Sequence, residues 1–137
     1  MLICCKSNLG KSLPLTKRYM GETDQTIYSP LKKGDIYQVF AMFFIADRID
    51  FLVCPPEAEP AWVPSILFDI IDYRIPNDWG ILMTEKEKNY SELYDFFKIS
   101  CIIGYKLIIS DYNHYKGILE GDEVELIKFH REKMYQK

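Results

Sequence analysis

Residues 36–54, IYQVFAMFFIADRIDFLVC, constrain this chain more than any other stretch. They are almost wholly apolar, β-branched or aromatic, and only Gln38 and the polar cluster at 47–50 interrupt them. Side chains of this kind suit a pleated, half-buried surface. The stretch therefore reads as a long strand over 36–46, a tight turn over 47–50 and a returning strand over 49–54, a β-hairpin. Alternation is legible where it begins. Ile36, Gln38 and Phe40 fall on one side, Tyr37, Val39 and Ala41 on the other. Phe40, Phe43, Phe44 and Phe51 are expected in the core. Beyond the hairpin, Pro55, Pro56 and Pro60 forbid regular structure.

The flanks add short elements. Residues 1–6 read as a strand that ends at Lys6. Residues 7–30 form a polar connection, long for a compact domain and therefore a functional or mobile candidate. LKKGD at 31–35 is a turn in which Gly34 can take positive φ. After the prolines, residues 61–63 read as a short strand, 64–68 as one helical turn with Pro64 at its start, and 69–72 as a further strand. YRIPNDWG, 73–80, is a turn-rich connector, and 81–88 adds one more strand before a charged turn.

The C-terminal part turns helical. Tyr90, Leu93, Tyr94 and Phe97 recur at helical spacing over 90–99. Residues 101–109, CIIGYKLII, are apolar around a glycine and fit either strand or helix. Ser110 or Asp111 can cap a short helix running to Leu119, Gly121 can stop it, and Asp122 can cap a helix over 123–135. In that helix Val124, Ile127 and Met134 share a stripe near Leu126 and Phe129, and charged residues fill the other face. There is no internal repeat, and a single domain over 1–137 is expected.

Composition then limits function. At 137 residues with 48% apolar and 15% aromatic side chains, the chain can build its own core. A net charge of −3 and a pI near 5.4 argue against a nucleic-acid partner, which calls for a basic face. The same charge suits a basic protein partner. Cys4, Cys5, Cys54 and Cys101 lie in apolar runs without a CxxC spacing, as free thiols in a reducing compartment do. The first residues lack the basic start and the length of a signal peptide. No run reaches the roughly 18 apolar residues of a membrane helix. The expectation is a cytoplasmic protein with no membrane partner.

Catalytic signatures are missing. His114 and His130 are the only histidines, and neither belongs to a metal or hydrolase motif. Nothing in the spacing of Cys101 and His114 selects them as a dyad. NLGKS at 8–12 carries the end of a phosphate-binding loop, but Cys5 stands where its first glycine is needed. Pairs such as Glu57/Glu59 and Asp69/Asp72 are what an acidic surface contains by chance. No catalytic residue, metal or cofactor is expected.

What remains is recognition. Trp62 and Trp79 lie beside loops, where indoles often anchor partners. Gly34, Tyr37 and Val39, followed by Trp62, Pro64, Leu67, Phe68 and Ile70, resemble the strand entry and exit of small bacterial SH3-like domains. The resemblance covers about half the chain. It implies an α+β, β-rich fold: an SH3-like barrel over 1–80, and a mixed part over 81–137 whose helices pack on it. Many such proteins are immunity proteins of polymorphic-toxin and contact-dependent inhibition systems. The resemblance thus implies an inhibitor that occludes a cognate toxin domain, often a basic nuclease. Glu57, Glu59, Trp62, Asp78 and Trp79 are the first candidate contacts, and Glu120, Asp122 and Glu123 form a second patch. A non-catalytic adaptor is the alternative, and an enzyme of unrecognised type the second.

Overall fold

The computed structural model describes residues 1–136. It is a β-rich α+β fold of two antiparallel sheets and four α-helices. The smaller sheet has the order β2-β1-β6, from Leu2–Cys5 (β1), Ile36–Gln38 (β2) and Phe68–Asp72 (β6). The larger has the order β5-β4-β3-β8-β7. It is built from Ala41–Ile45 (β3), Arg48–Val53 (β4), Ala61–Pro64 (β5), Gly80–Met83 (β7) and Ile99–Gly104 (β8). Neither sheet closes on itself.

The long strand expected over 36–46 is two strands, and hydrogen bonding explains the division. Val39 N–H donates to Met1 in the smaller sheet's layer, whereas Phe40 N–H donates to Leu52 on β4. The chain crosses from one sheet to the other within those two residues. The hairpin turn is also tighter than expected. Ile45 pairs with Arg48, so the turn is Ala46-Asp47, with Ala46 at a φ of 47°. Arg48 belongs to β4 and not to the turn, so the returning strand begins one residue before the expected 49.

β3 shows why this segment is so uniformly apolar. Ala41, Phe43 and Ile45 enter one core together with Leu52, Ile102, Tyr105, Tyr115 and Phe129. Met42 and the partly buried Phe44 pack in a second core with Ile3, Tyr37, Phe51, Val63 and Phe68. Both faces of the strand are covered, so alternation of polar and apolar residues disappears. The first core lies toward the helices and the second between the sheets. Phe40, Phe43 and Phe51 are buried as expected.

The segment of undecided state splits between the two. β8 inserts between β3 and β7, and Lys106–Ser110 forms α2. Only glycine fits at 104, because a Cβ there would lie 2.7 Å from the Ala41 side chain. The remaining helices are Ser91–Phe97 (α1), Tyr112–Glu120 (α3) and Glu123–Tyr135 (α4). Asp111 caps α3 by accepting from Asn113 N–H, and Asp122 caps α4 by accepting from Val124 and Glu125. Gly121, at a φ of 71°, supplies the left-handed residue that ends α3.

The buried stripe of α4 differs from the one expected. Phe129 is fully buried, but Val124, Ile127 and Met134 are 59%, 50% and 72% exposed. Glu125 turns inward instead, toward His114. No helix among the described residues is long and apolar enough to cross a membrane.

Candidate binding site

The site begins with two residues on one face of β4. Arg48 and Asp50 are two apart on a strand, so their side chains emerge on the same side. Arg48 Nε and Nη2 donate to the two carboxylate oxygens of Asp50 at 2.8 and 3.0 Å. Such a fork is the strong geometry for this ion pair. Arg48 Nη1 donates to the Lys17 carbonyl and to Glu22 Oε1, both at 3.0 Å. The side chains of Arg48, Asp50 and Glu22 are 1%, 4% and 6% exposed.

Glu22 comes from the connection over 7–30, which is a tied loop. Gly10 N–H donates to the Thr26 carbonyl at 2.7 Å. A Cβ at Gly10 would lie 2.5 Å from the Thr23 carbonyl oxygen, so the GKS turn closes against the loop backbone. Gly10–Ser12 is a single 3-10 turn. Arg18 pairs with Asp24 at 2.8 Å, and the Tyr19 hydroxyl donates to Asp47. Met20 N–H donates to Glu22 Oε1, and Tyr28 O–H reaches Glu22 Oε2 at 3.5 Å.

The electrostatics follow from burial. Desolvation pushes the Asp50 carboxyl above the usual carboxylate range, against the lowering by Arg48. Burial also raises Glu22, but bonds from Arg48 and Met20 more than offset this and leave it below its ordinary value. The Tyr28 phenol is pushed up by burial first and by the Glu22 charge second. Two carboxylates thus face one guanidinium.

A cavity of about 460 Å³ opens beside this cluster. Glu22 and Asp50 line it, and Arg48 does not. Its walls are Tyr28, Phe43, Trp62, Leu93, Phe97 and Tyr115, with Pro60, Ala61 and Leu119 also lining it. Phe43 and Asp50 are cross-strand partners. The Trp62 ring lies 4.5 Å from Phe43 and 5.9 Å from Tyr115, centroid to centroid. The Trp62 indole N–H is buried without an acceptor. The volume and the mostly apolar wall are those of ordinary ligand pockets.

The expected contacts are partly brought together. Trp62 is half-buried in the cavity wall. Glu57 and Glu59 are exposed, and Glu57 sits at a φ of 60°. The Glu59 carboxylate lies beside Gly121, 3.3 Å from where a Cβ there would be. The proline-rich loop therefore meets the α3–α4 junction at Gly121, which Glu120 precedes and Asp122 and Glu123 follow in the chain. Glu120 pairs loosely with Lys116 at 3.8 Å. Asp78 and Trp79 do not join them. Asp78 is exposed and its charge helps to raise the Glu132 carboxyl, after burial. Trp79 is half-buried against both cores, outside the cavity lining, with its indole N–H unpartnered.

All four cysteines are free thiols; Cys5 and Cys101 are buried, Cys4 and Cys54 half-buried. Burial raises Cys5, Cys54 and Cys101 above the ordinary thiol value. Cys101 lies on β8 and His114 on α3, and His114 bonds to Tyr105 and Glu125 instead. Among the described residues no cluster of three or more His, Cys, Asp or Glu side chains is placed to hold a metal. No known protein family, curated protein or solved structure matches this chain.

Glu22, Tyr28, Asp50, Phe97 and Tyr115 are the site residues that sequence reading missed. A signal existed for one pair: Arg48 and Asp50 stand two apart at the start of an otherwise apolar strand, the spacing that buries an ion pair on one face.

Proposed function

We propose that this chain is a non-catalytic inhibitor of the immunity type, which binds a basic protein domain and blocks it by occlusion. The observation that carries the reading is the acidic rim. Glu59 meets the α3–α4 junction, so carboxylates from two distant segments gather beside an apolar, aromatic cavity. An apolar centre within a charged rim is the anatomy of a protein interface, where a few aromatic anchors carry most of the energy. Acidic rim charges would speed encounter with a basic partner.

In this reading the chain works in the cytoplasm, on neither nucleic acid nor membrane. Its likeness to small SH3-like barrel proteins stays a likeness of motif. Gly34 takes a left-handed φ of 92°, and Trp62 packs against Phe43.

The test uses the protein encoded immediately upstream. Expressed alone it should arrest growth, and co-expression of this chain should restore growth through a complex that co-purifies. Replacing Glu59 and Glu120 by lysine should slow association at low salt and weaken rescue. Absence of arrest, or rescue without a complex, contradicts the proposal.

A further inference from the structure

Buried charges in proteins are normally balanced, because an unpaired one is costly to desolvate. The cluster on β4 is not balanced. With both carboxyls ionised, which burial opposes at Asp50, Glu22 and Asp50 carry two negative charges against the one positive charge of Arg48, and all three side chains are 6% exposed or less. One negative charge is left over.

The position of that excess points to a ligand. Both carboxylates line the cavity, while the guanidinium that partly neutralises them does not. No lysine, arginine or histidine is among the described residues lining it. The Asp50 oxygens each accept one bond from Arg48, and a carboxylate oxygen has room for a second. The other walls include the rings of Tyr28, Phe43, Trp62 and Tyr115. Aromatic faces attract cations, more strongly where water is excluded. An anion would be repelled from such a site, and a neutral apolar ligand would leave the charge excess uncompensated.

We propose that this cavity binds one organic cation, a guanidinium or alkylammonium group, held by Glu22 and Asp50 and walled by Trp62 and Tyr115. The group has two natural sources, an arginine or lysine side chain of a protein partner or a free small amine. The inference stands apart from the inhibitor reading, because its test needs only this chain.

The experiment is calorimetric titration of the whole protein with N-acetylarginine amide, ethylguanidinium and tetramethylammonium. N-acetylcitrulline amide is the uncharged control of the same shape. Capped arginine should bind and citrulline should not. Glu22→Gln keeps the loop's hydrogen bonding but removes one charge, and should lower affinity about tenfold or more, as loss of a charge-assisted contact does. Leu119 is 57% exposed, so Leu119→Lys should fold and fill the site from its own helix, and it should also abolish binding. Capped arginine binding tighter than ethylguanidinium identifies a polypeptide as the source, and equal affinity identifies a free cation; both support the site. Failure of every cation to bind, or citrulline binding as well as arginine, overturns the proposal. Loss of partner rescue with cation binding intact would remove the inhibitor reading alone.

Discussion

Two polar clusters among the described residues, each wholly or mostly buried, differ in one respect. Glu22, Arg48 and Asp50 sit beside a cavity. Tyr105, His114 and Glu125 sit where α3 and α4 pack on the first core, and none of them lines that cavity. In the second cluster the roles are fully assigned. The Glu125 carboxylate can only accept, so His114 Nδ1 carries the proton and donates at 3.1 Å. Burial lowers the His114 pKa, which favours the neutral ring, so Nε2 accepts from the Tyr105 hydroxyl at 2.7 Å. Each group has its partner, and Lys128 takes the other Glu125 oxygen at 3.2 Å. This cluster fixes the α3–α4 pair. A Cβ at Gly117 would lie 2.3 Å from the Glu125 side chain, so the two helices touch at that point. The first cluster has the same kind of bonds but an unmatched charge and an opening. One network specifies packing, and the other is left with something to bind.

The largest expected effect comes from unbalancing the first cluster further. Arg48→Met leaves two buried carboxylates unpaired and should cost about 3–5 kcal/mol of unfolding free energy, read by denaturant titration. The triple variant Glu22→Leu, Arg48→Met, Asp50→Leu should recover most of that loss, since buried ion pairs often contribute little against apolar replacements. It should nevertheless bind no capped arginine. A triple variant that stays as unstable as Arg48→Met would mean the cluster exists for stability, as its counterpart does.

Next in size is Tyr105→Phe. It leaves His114 Nε2 without a donor in a buried site and should cost about 1–3 kcal/mol. Binding of capped arginine should be unchanged. A loss of binding would show that the two clusters are coupled and the contrast between them false.

A smaller effect is expected from pH. The folded His114 pKa lies below the unfolded value of about 6.5. Above that value neither state binds the proton, and the contribution of the neutral ring is complete. As pH falls below it the unfolded chain takes up a proton that the folded chain resists, so stability declines. Between pH 7.5 and 5.5 the wild type should therefore lose more stability than His114→Gln, measured side by side. Equal losses would mean that His114 titrates normally.

The smallest effect on stability belongs to the rim. Lysine at Glu57 and Glu59 together should shift unfolding free energy by no more than about 0.5 kcal/mol per site, as exposed substitutions do. Its consequence should appear in association rate with a basic partner at low salt, and vanish as salt is raised. An unchanged rate would take the rim out of the interface.

Much of the fold was legible because local signals agreed with tertiary structure. The capping residues Asp111 and Asp122 and the stop at Gly121 placed α3 and α4 within a residue or two. Pro64 marked the helical turn at Ser65–Leu67. What misled was any segment whose partner lies far away. Residues 36–46 look like one strand because nothing local says that Val39 bonds to one sheet and Phe40 to the other. Residues 99–110 divide at Gly104, where β3 crowds the backbone, and the sequence alone does not contain that neighbour. The barrel expected from motifs gave way to two open sheets for the same reason, since β8 arrives from beyond residue 80 to lie against β3. On the site side, Trp62 and the acidic residues were visible by type and position. Glu22 was hidden in a loop, and Asp50 where the expected turn and returning strand overlap. Their meeting at Arg48 spans 26 residues of sequence separation and is a product of the fold.

The most direct test of the central claim is a crystal structure of the protein with saturating N-acetylarginine amide. The guanidinium should lie in the cavity within hydrogen-bonding distance of Glu22 or Asp50 and against the Trp62 ring. A cavity filled only by water under those conditions, or a ligand bound with its guanidinium turned away from both carboxylates, would contradict the account.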